Sequence, residues 1–213
     1  MTVNCFEKAL AASLGAQNLV KMQKVKIGIA GAGGLGSNCA VFLVRCGFKK
    51  FKIVDYDFVE HSNLNRQFFF AAQVGVLKVA ALKENLLMIN PALEIEALPE
   101  KIGRENIHSI FCDCDVIVEA LDLPHYKKMI VESYLRSGKL LVAASGIAGW
   151  GKSDGIKVHR LKNNFYLIGD LVSEAKLKCP ALAPRVNVAA AKQADIILEY
   201  YLGQMDGGDQ DGG

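Results

Sequence analysis

Residues 25–44 read VKIGIAGAGGLGSNCAVFLV. A short apolar run ends in four glycines within positions 31–36, and an amphipathic run follows at once. Gly31, Gly33 and Gly36 form G-x-G-x-x-G between a strand pattern and a helix pattern, and Asp55 closes the next apolar run ~20 residues on. The first glycine allows the tight turn, the second lets backbone approach a phosphate, and the third permits close packing of helix on sheet. An acidic strand end can grip a ribose hydroxyl pair, and a helix N-terminus offers its free amides to an anion. The loop predicts nucleotide binding, and by itself it suits a dinucleotide and ATP equally.

Working outward, residues 4–22 carry Phe6, Leu10 and Leu14 at helical spacing and predict one helix leading into the first strand. Strand patterns recur at 51–57, 93–98, 115–121 and 139–145, with helical patterns over 35–46, over 76–91 up to the stop at Pro91, and over 124–137. This alternation predicts an α/β, Rossmann-like, doubly wound and mostly parallel sheet. Beyond Gly151, the stretches 155–161 and 164–169 read as late antiparallel strands and 184–202 as a long closing helix. Residues 1–203 are expected to form a single domain, and the polar, glycine-rich 204–213 a flexible tail whose final Gly-Gly is read as coincidental.

A chain of 213 residues, 51% hydrophobic and 22% charged, can bury a substantial core. A formal charge of +3 argues for neither nucleic acid nor an anionic membrane. The first residues lack the pattern of a cleavable leader, and no apolar run is long enough to span a bilayer, so a cytoplasmic location is expected. Six cysteines occur without a Cys-x-x-Cys pair, and Cys112 and Cys114 have no nearby His or Cys to complete a metal set; reduced thiols and no structural zinc are expected.

The stretch 54–82, VDYDFVEHSNLNRQFFFAAQVGVLKVAAL, separates the two nucleotide readings. A dinucleotide domain has no standing need for the cations Arg66 and Lys78 after its second strand, preceded here by Asn63. Two cations near a helix N-terminus suit a triphosphate whose charge must be neutralised as it is cleaved.

The motifs GAGGLGS (31–37), VDYDFVEHSNLNRQF (54–68), VGVLKV (74–79) and INP (89–91) follow one another in an order and spacing that resembles the ThiF/MoeB/HesA family, the ubiquitin-activating-like proteins. The resemblance spans roughly residues 4–203 and is nearest to the family's short branch of ThiS sulfur-carrier adenylyltransferases. It implies an ATP-binding adenylyltransferase that activates the C-terminal Gly-Gly carboxylate of a small β-grasp carrier, ThiS-like, in thiamine thiazole biosynthesis, releasing pyrophosphate. Carried over by position, Gly31, Gly33, Gly34 and Gly36 line the phosphate loop, and Asp55 and Asp57 hold the ribose. Asn63, Arg66 and Lys78 contact the phosphates, Asp122 helps hold Mg²⁺, and Ser62 and Gln67 position backbone. No general base is needed for attack by an ionised carboxylate, in keeping with the absence of His61, His108, His125 and His159 from this set. The resemblance further implies a homodimer.

Three departures stand out. The zinc-binding Cys-x-x-Cys pairs of longer members are missing, and residues 1–44 contain no Arg to reach a partner's ATP, with Lys21 or Lys24 as the candidate stand-ins. By the resemblance, Cys179, flanked by Lys176 and Lys178, is the candidate for a covalent link to the carrier. Trp150 is read as a packing residue. The rival readings are an NAD(P)-dependent oxidoreductase, a nucleotide-binding module without catalysis, and adenylation of another acceptor such as a molybdopterin-synthase small subunit.

Overall fold

The computed structural model describes residues 4–176 and 178–203; the expected tail at 204–213 lies outside them. The elements run α1 (Cys5–Leu14), α2 (Ala16–Lys24), β1 (Lys26–Ala30), α3 (Gly34–Cys46), β2 (Lys50–Val54), α4 (Lys78–Ile89), β3 (Glu94–Leu98), α5 (Ile107–Ile110), β4 (Val116–Glu119), α6 (Pro124–Tyr134), β5 (Leu140–Ala144), β6 (Lys157–Lys162), β7 (Phe165–Gly169) and α7 (Ala183–Leu202). Among the described residues, seven strands form one sheet in the order β3-β2-β1-β4-β5-β7-β6. All neighbours pair in parallel except β6 with β7. The chain therefore winds outward in one direction through β1, β2 and β3, then returns to β4 on the other side of β1. The gap between the C-terminal ends of β1 and β4 is the switch point, where such sheets open a crevice.

β1, β2, β4 and β5 are buried almost end to end, because helices cover both faces of the sheet. On one face Ile27, Ile29, Phe51 and Ile53 meet α2, α3, α4 and α7; on the other, Ala30, Val54 and Ile117 meet Phe111 and the α6 residues Met129, Ile130 and Tyr134. α7 lies along α3, with Ala189, Ala190 and Ala194 buried against it and the sheet. Small side chains allow that close approach.

One expectation is corrected. The helix read over 4–22 is two helices, α1 and α2, separated by Gly15 at φ +82°, a left-handed backbone that no helix interior accommodates. The two late strands pair antiparallel with each other, and β7 also inserts beside β5 and parallel to it. Strand order depends on which edge is free, and hydrophobic periodicity does not carry that information.

Lys26, at the far end of β1 from the crevice, and Lys52, midway along β2, share the carboxylates of Glu96 and Asp113. Lys52 Nζ lies 2.6 Å from Asp113 and 3.2 Å from Glu96. Among the described residues, no helix is long and apolar enough to cross a membrane.

Candidate functional site

The glycine stretch turns the chain from β1 into α3. Gly31 sits at φ +99° with its N–H donated to the Val54 carbonyl at 2.9 Å, and a Cβ there would lie 2.7 Å from the Ala120 carbonyl. At Gly36 a Cβ would lie 1.9 Å from the Gly31 carbonyl, so α3 rests directly on the turn. Gly33, the N-cap of α3, has no capping side chain, and a Cβ added to it would find its nearest neighbour, Gln67 Nε2, 3.9 Å away. The first-turn amides of α3 thus open onto free space at the positive end of the helix.

That space is a cavity of about 830 Å³ at the C-terminal ends of β1, β2, β4 and β5. Its wall includes Gly31, Gly33, Gly34, Asp55, Asp57, Asn63, Arg66, Gln67, Lys78 and Asp122. Gly36 and Ser62 are not part of that wall.

Asp55 organises two loops. Its Oδ2 accepts the Ala32 amide at 2.7 Å and its Oδ1 accepts the Asp57 amide at 2.8 Å. Burial pushes its carboxyl above the ordinary range against the pull of those amides. Each oxygen keeps a second lone-pair direction for a ligand. Asp57 does not stand free: its carboxylate accepts from Lys78 Nζ at 2.8 Å, and its carbonyl accepts the Lys78 amide. It is the counter-ion of a buried ammonium and also borders the cavity.

Asn63 is buried in a 3-10 turn, where its Oδ1 accepts the Glu60 amide and its carbonyl accepts the Arg66 and Gln67 amides. Arg66 Nη1 donates to the Ser62 carbonyl at 3.1 Å and to Asn65 Oδ1 at 2.7 Å, which fixes one side of the guanidinium. Gln67 is 9% exposed and its Oε1 has no hydrogen-bond partner among the described residues. A polar atom buried unpaired in a cavity wall marks a place where a ligand or water completes the bonding. Among the described residues, Asp122 has no hydrogen-bond or ion-pair partner. One wall thus combines free amides and two cations with an unpaired carboxylate on the opposite side, a donor set that fits a polyphosphate carrying a divalent cation.

Other expected residues lie elsewhere. Cys179 is off the cavity wall, packed near Gly149, and Lys176 beside it is paired with Glu174 at 2.8 Å, so that ammonium does not face the thiol alone. None of the four histidines lines the cavity; His159 Nε2 bonds the Gly169 carbonyl. Trp150 is exposed at 67% rather than packed. Among the described residues, no three His, Cys, Asp or Glu side chains form a group able to hold a metal ion.

Two buried ion pairs next to the cavity escaped sequence reasoning. Glu119, the last residue of β4, pairs with Lys127. Arg185 of α7 pairs with Asp170 and donates to the Gly151 and Lys152 carbonyls, tying the two loops after β5 and β7 to the helix. Burial pushes the Asp170 carboxyl up, but the Ser173 and Val172 amides, the Ser173 hydroxyl and Arg185 together hold it down at about 2. Signals existed for both: a lone acid closing an apolar strand needs a partner, and an Arg in the first turn of a helix opposes the helix dipole.

The ThiF family pattern matches residues 6–208. The "Adenylyltransferase and sulfurtransferase UBA4" of Candida glabrata is 37% identical over 139 residues, covering 65% of this chain and 32% of that protein. The protein of the same name from Aspergillus niger is 36% identical over 140 residues, 65% of this chain and 29% of that protein. The chain thus spans about a third of the length of the curated relatives it matches. Among solved structures, E. coli tRNA N6-threonylcarbamoyladenosine dehydratase, TcdA, in complex with ATP superposes with a TM-score of 0.83 at 19% identity, over 92% of this chain and 93% of that one. E. coli MccB with AMPCPP and MccA gives 0.67 at 24% identity, over 86% and 57%. At these identities the likeness speaks to the fold alone.

Proposed function

Because the chain belongs to the ThiF family, we propose that it is an adenylyltransferase that uses ATP to activate the C-terminal Gly-Gly carboxylate of a small β-grasp carrier. The observation that carries this reading is the meeting, in one cavity, of the uncapped α3 N-terminus with Arg66, Lys78 and the unpartnered Asp122. The relatives named for adenylyl and sulfur transfer support a sulfur-carrying acceptor, and a ThiS-like carrier of thiamine thiazole biosynthesis is the finer assignment.

The carrier's ionised carboxylate attacks the α-phosphorus of ATP, an acyl–phosphate bond forms, and the bond to pyrophosphate breaks. Negative charge grows on the α-phosphoryl oxygens and the leaving group. The α3 amides, Arg66 and Lys78 neutralise it, with Asp57 holding the Lys78 ammonium in place. Asp55 takes the ribose through the lone pairs its two amide bonds leave free. Gln67 meets the nucleotide through its orphaned oxygen, and Asn63 and Ser62 hold the turn that presents Arg66. Asp122 holds Mg²⁺, which supplies further charge neutralisation. The protein works as a homodimer, for which the exposed Phe58, Phe70 and Val76 beside the Arg66 turn offer apolar surface.

ATP–pyrophosphate exchange with candidate Gly-Gly carriers is the test. Exchange should require a carrier and fall at least about 100-fold in both Arg66→Ala and Asp122→Ala. No exchange with any carrier, together with tight NAD(H) binding, would replace this reading with an oxidoreductase.

A further inference from the structure

Glu119 ends β4 with a carboxylate that is 1% exposed. Lys127, from the first turns of α6, brings Nζ within 3.0 Å of Oε1 in a hydrogen bond and 2.9 Å of Oε2 in an ion-pair contact. The same Nζ donates to the Leu121 carbonyl at 2.8 Å, while the Leu121 amide donates to Glu119 Oε1 at 2.8 Å. Both backbone polar groups of Leu121 are thus held by one ion pair. Leu121 directly precedes Asp122, which among the described residues has no partner of its own to fix it.

A buried ion pair is weak ground for stability, because an apolar pair of similar volume fills the space without desolvating two charges. Its retention needs another account, and the bonding pattern supplies one. Of the three protons of the Lys127 ammonium, one goes to Glu119 Oε1 and one to the Leu121 carbonyl, while Glu119 Oε2 stands in ion-pair contact without a hydrogen bond. Lys127 borders the cavity, and both of its hydrogen bonds hold the turn.

We propose that Glu119 and Lys127 form a positioning clamp that fixes the Leu121–Asp122 turn, and that Lys127 is not a phosphate ligand. The clamp rests on the adenylyltransferase reading in one respect only, that the group it positions holds Mg²⁺. Neither clamp residue touches the nucleotide.

The double variant Glu119→Leu/Lys127→Met removes both charges together and leaves none buried alone. Urea unfolding establishes that it folds, and Glu119→Gln with Lys127→Arg serves if it does not. In the nucleotide-free protein, the Leu121 amide should exchange its proton at least tenfold faster in the double variant. The Mg²⁺ concentration that half-saturates ATP–pyrophosphate exchange should rise at least tenfold, with ATP affinity in EDTA unchanged within twofold. Lys127→Arg, which keeps the charge and the donors, should recover most of the metal response. A tenfold loss of metal-free ATP affinity with an unchanged Mg²⁺ requirement would make Lys127 a phosphate ligand and overturn the proposal. A folded double variant with native Leu121 exchange and native Mg²⁺ requirement would reduce the pair to filling. If the unaltered protein binds no nucleotide, the adenylyltransferase reading fails while the Leu121 exchange still decides the clamp.

Discussion

An alanine at Gly36 and an alanine at Gly33 should have opposite consequences. The first drives a methyl to 1.9 Å from the Gly31 carbonyl, and α3 must lift off the turn. Gly36→Ala should destabilise the protein by about 3 kcal/mol. At Gly33 the nearest atom is 3.9 Å away, so Gly33→Ala should cost less than about 1 kcal/mol while lowering ATP affinity tenfold or more, because the methyl occupies ligand space. Urea unfolding and calorimetric titration of both variants separate the two effects. At this scale, the part of the site that lies close together in sequence was legible: Gly31, Gly33, Gly34, Asp55, Arg66 and Lys78 all border the cavity. What escaped were groups whose meaning depends on a partner far along the chain or behind the wall. Asp57 gains its counter-ion only when Lys78 folds onto it, and Arg185 only when Asp170 meets it.

Strands and helices were visible because a sheet covered on both faces leaves near-continuous apolar runs, and glycine or proline marks their ends. The break between α1 and α2 was hidden, since a lone glycine inside a helical pattern is tolerated. It has a measurable sign. In a continuous helix Gly15→Ala would add about 1 kcal/mol of stability; at φ +82° the same change should remove about 1 kcal/mol. Thermal unfolding reads the difference. The Arg185–Asp170 pair joins α7 to the loops after β5 and β7, and it has a pH signature. The folded carboxyl titrates at about 2, whereas an unfolded Asp titrates near ~3.9, so the unfolded chain binds the proton first. This contribution is complete above pH ~4 and is lost as pH falls toward ~2. Asp170→Asn should flatten the acid limb of the stability–pH curve over that window, measured by urea midpoints at each pH.

For the molecule as a whole, a ligand that binds only the folded state adds stability in proportion to the logarithm of its concentration. MgATP at ~100 times its Kd should add about 2.7 kcal/mol and raise Tm by roughly 5–11 °C, whereas NAD⁺ at the same concentration should leave Tm within about 1 °C. An equal shift with NAD⁺ would count against the ATP reading. The sheet's place for β7 was not legible, because it is decided only when β5 offers its free edge.

The Lys26, Lys52, Glu96 and Asp113 cluster reaches from the foot of β1 to the middle of β2 and β3, and the glycine turn lies at their head. At ~3.3 Å per residue, Lys26 lies roughly 15 Å and Lys52 and Glu96, level with Gly28, roughly 10 Å from that turn, at or beyond the range over which substitutions usually interact. The two ends can therefore drift independently: a lineage adapting to heat or salt can rewrite the foot of the sheet without renegotiating its chemistry, and a change of acceptor leaves the foot untouched.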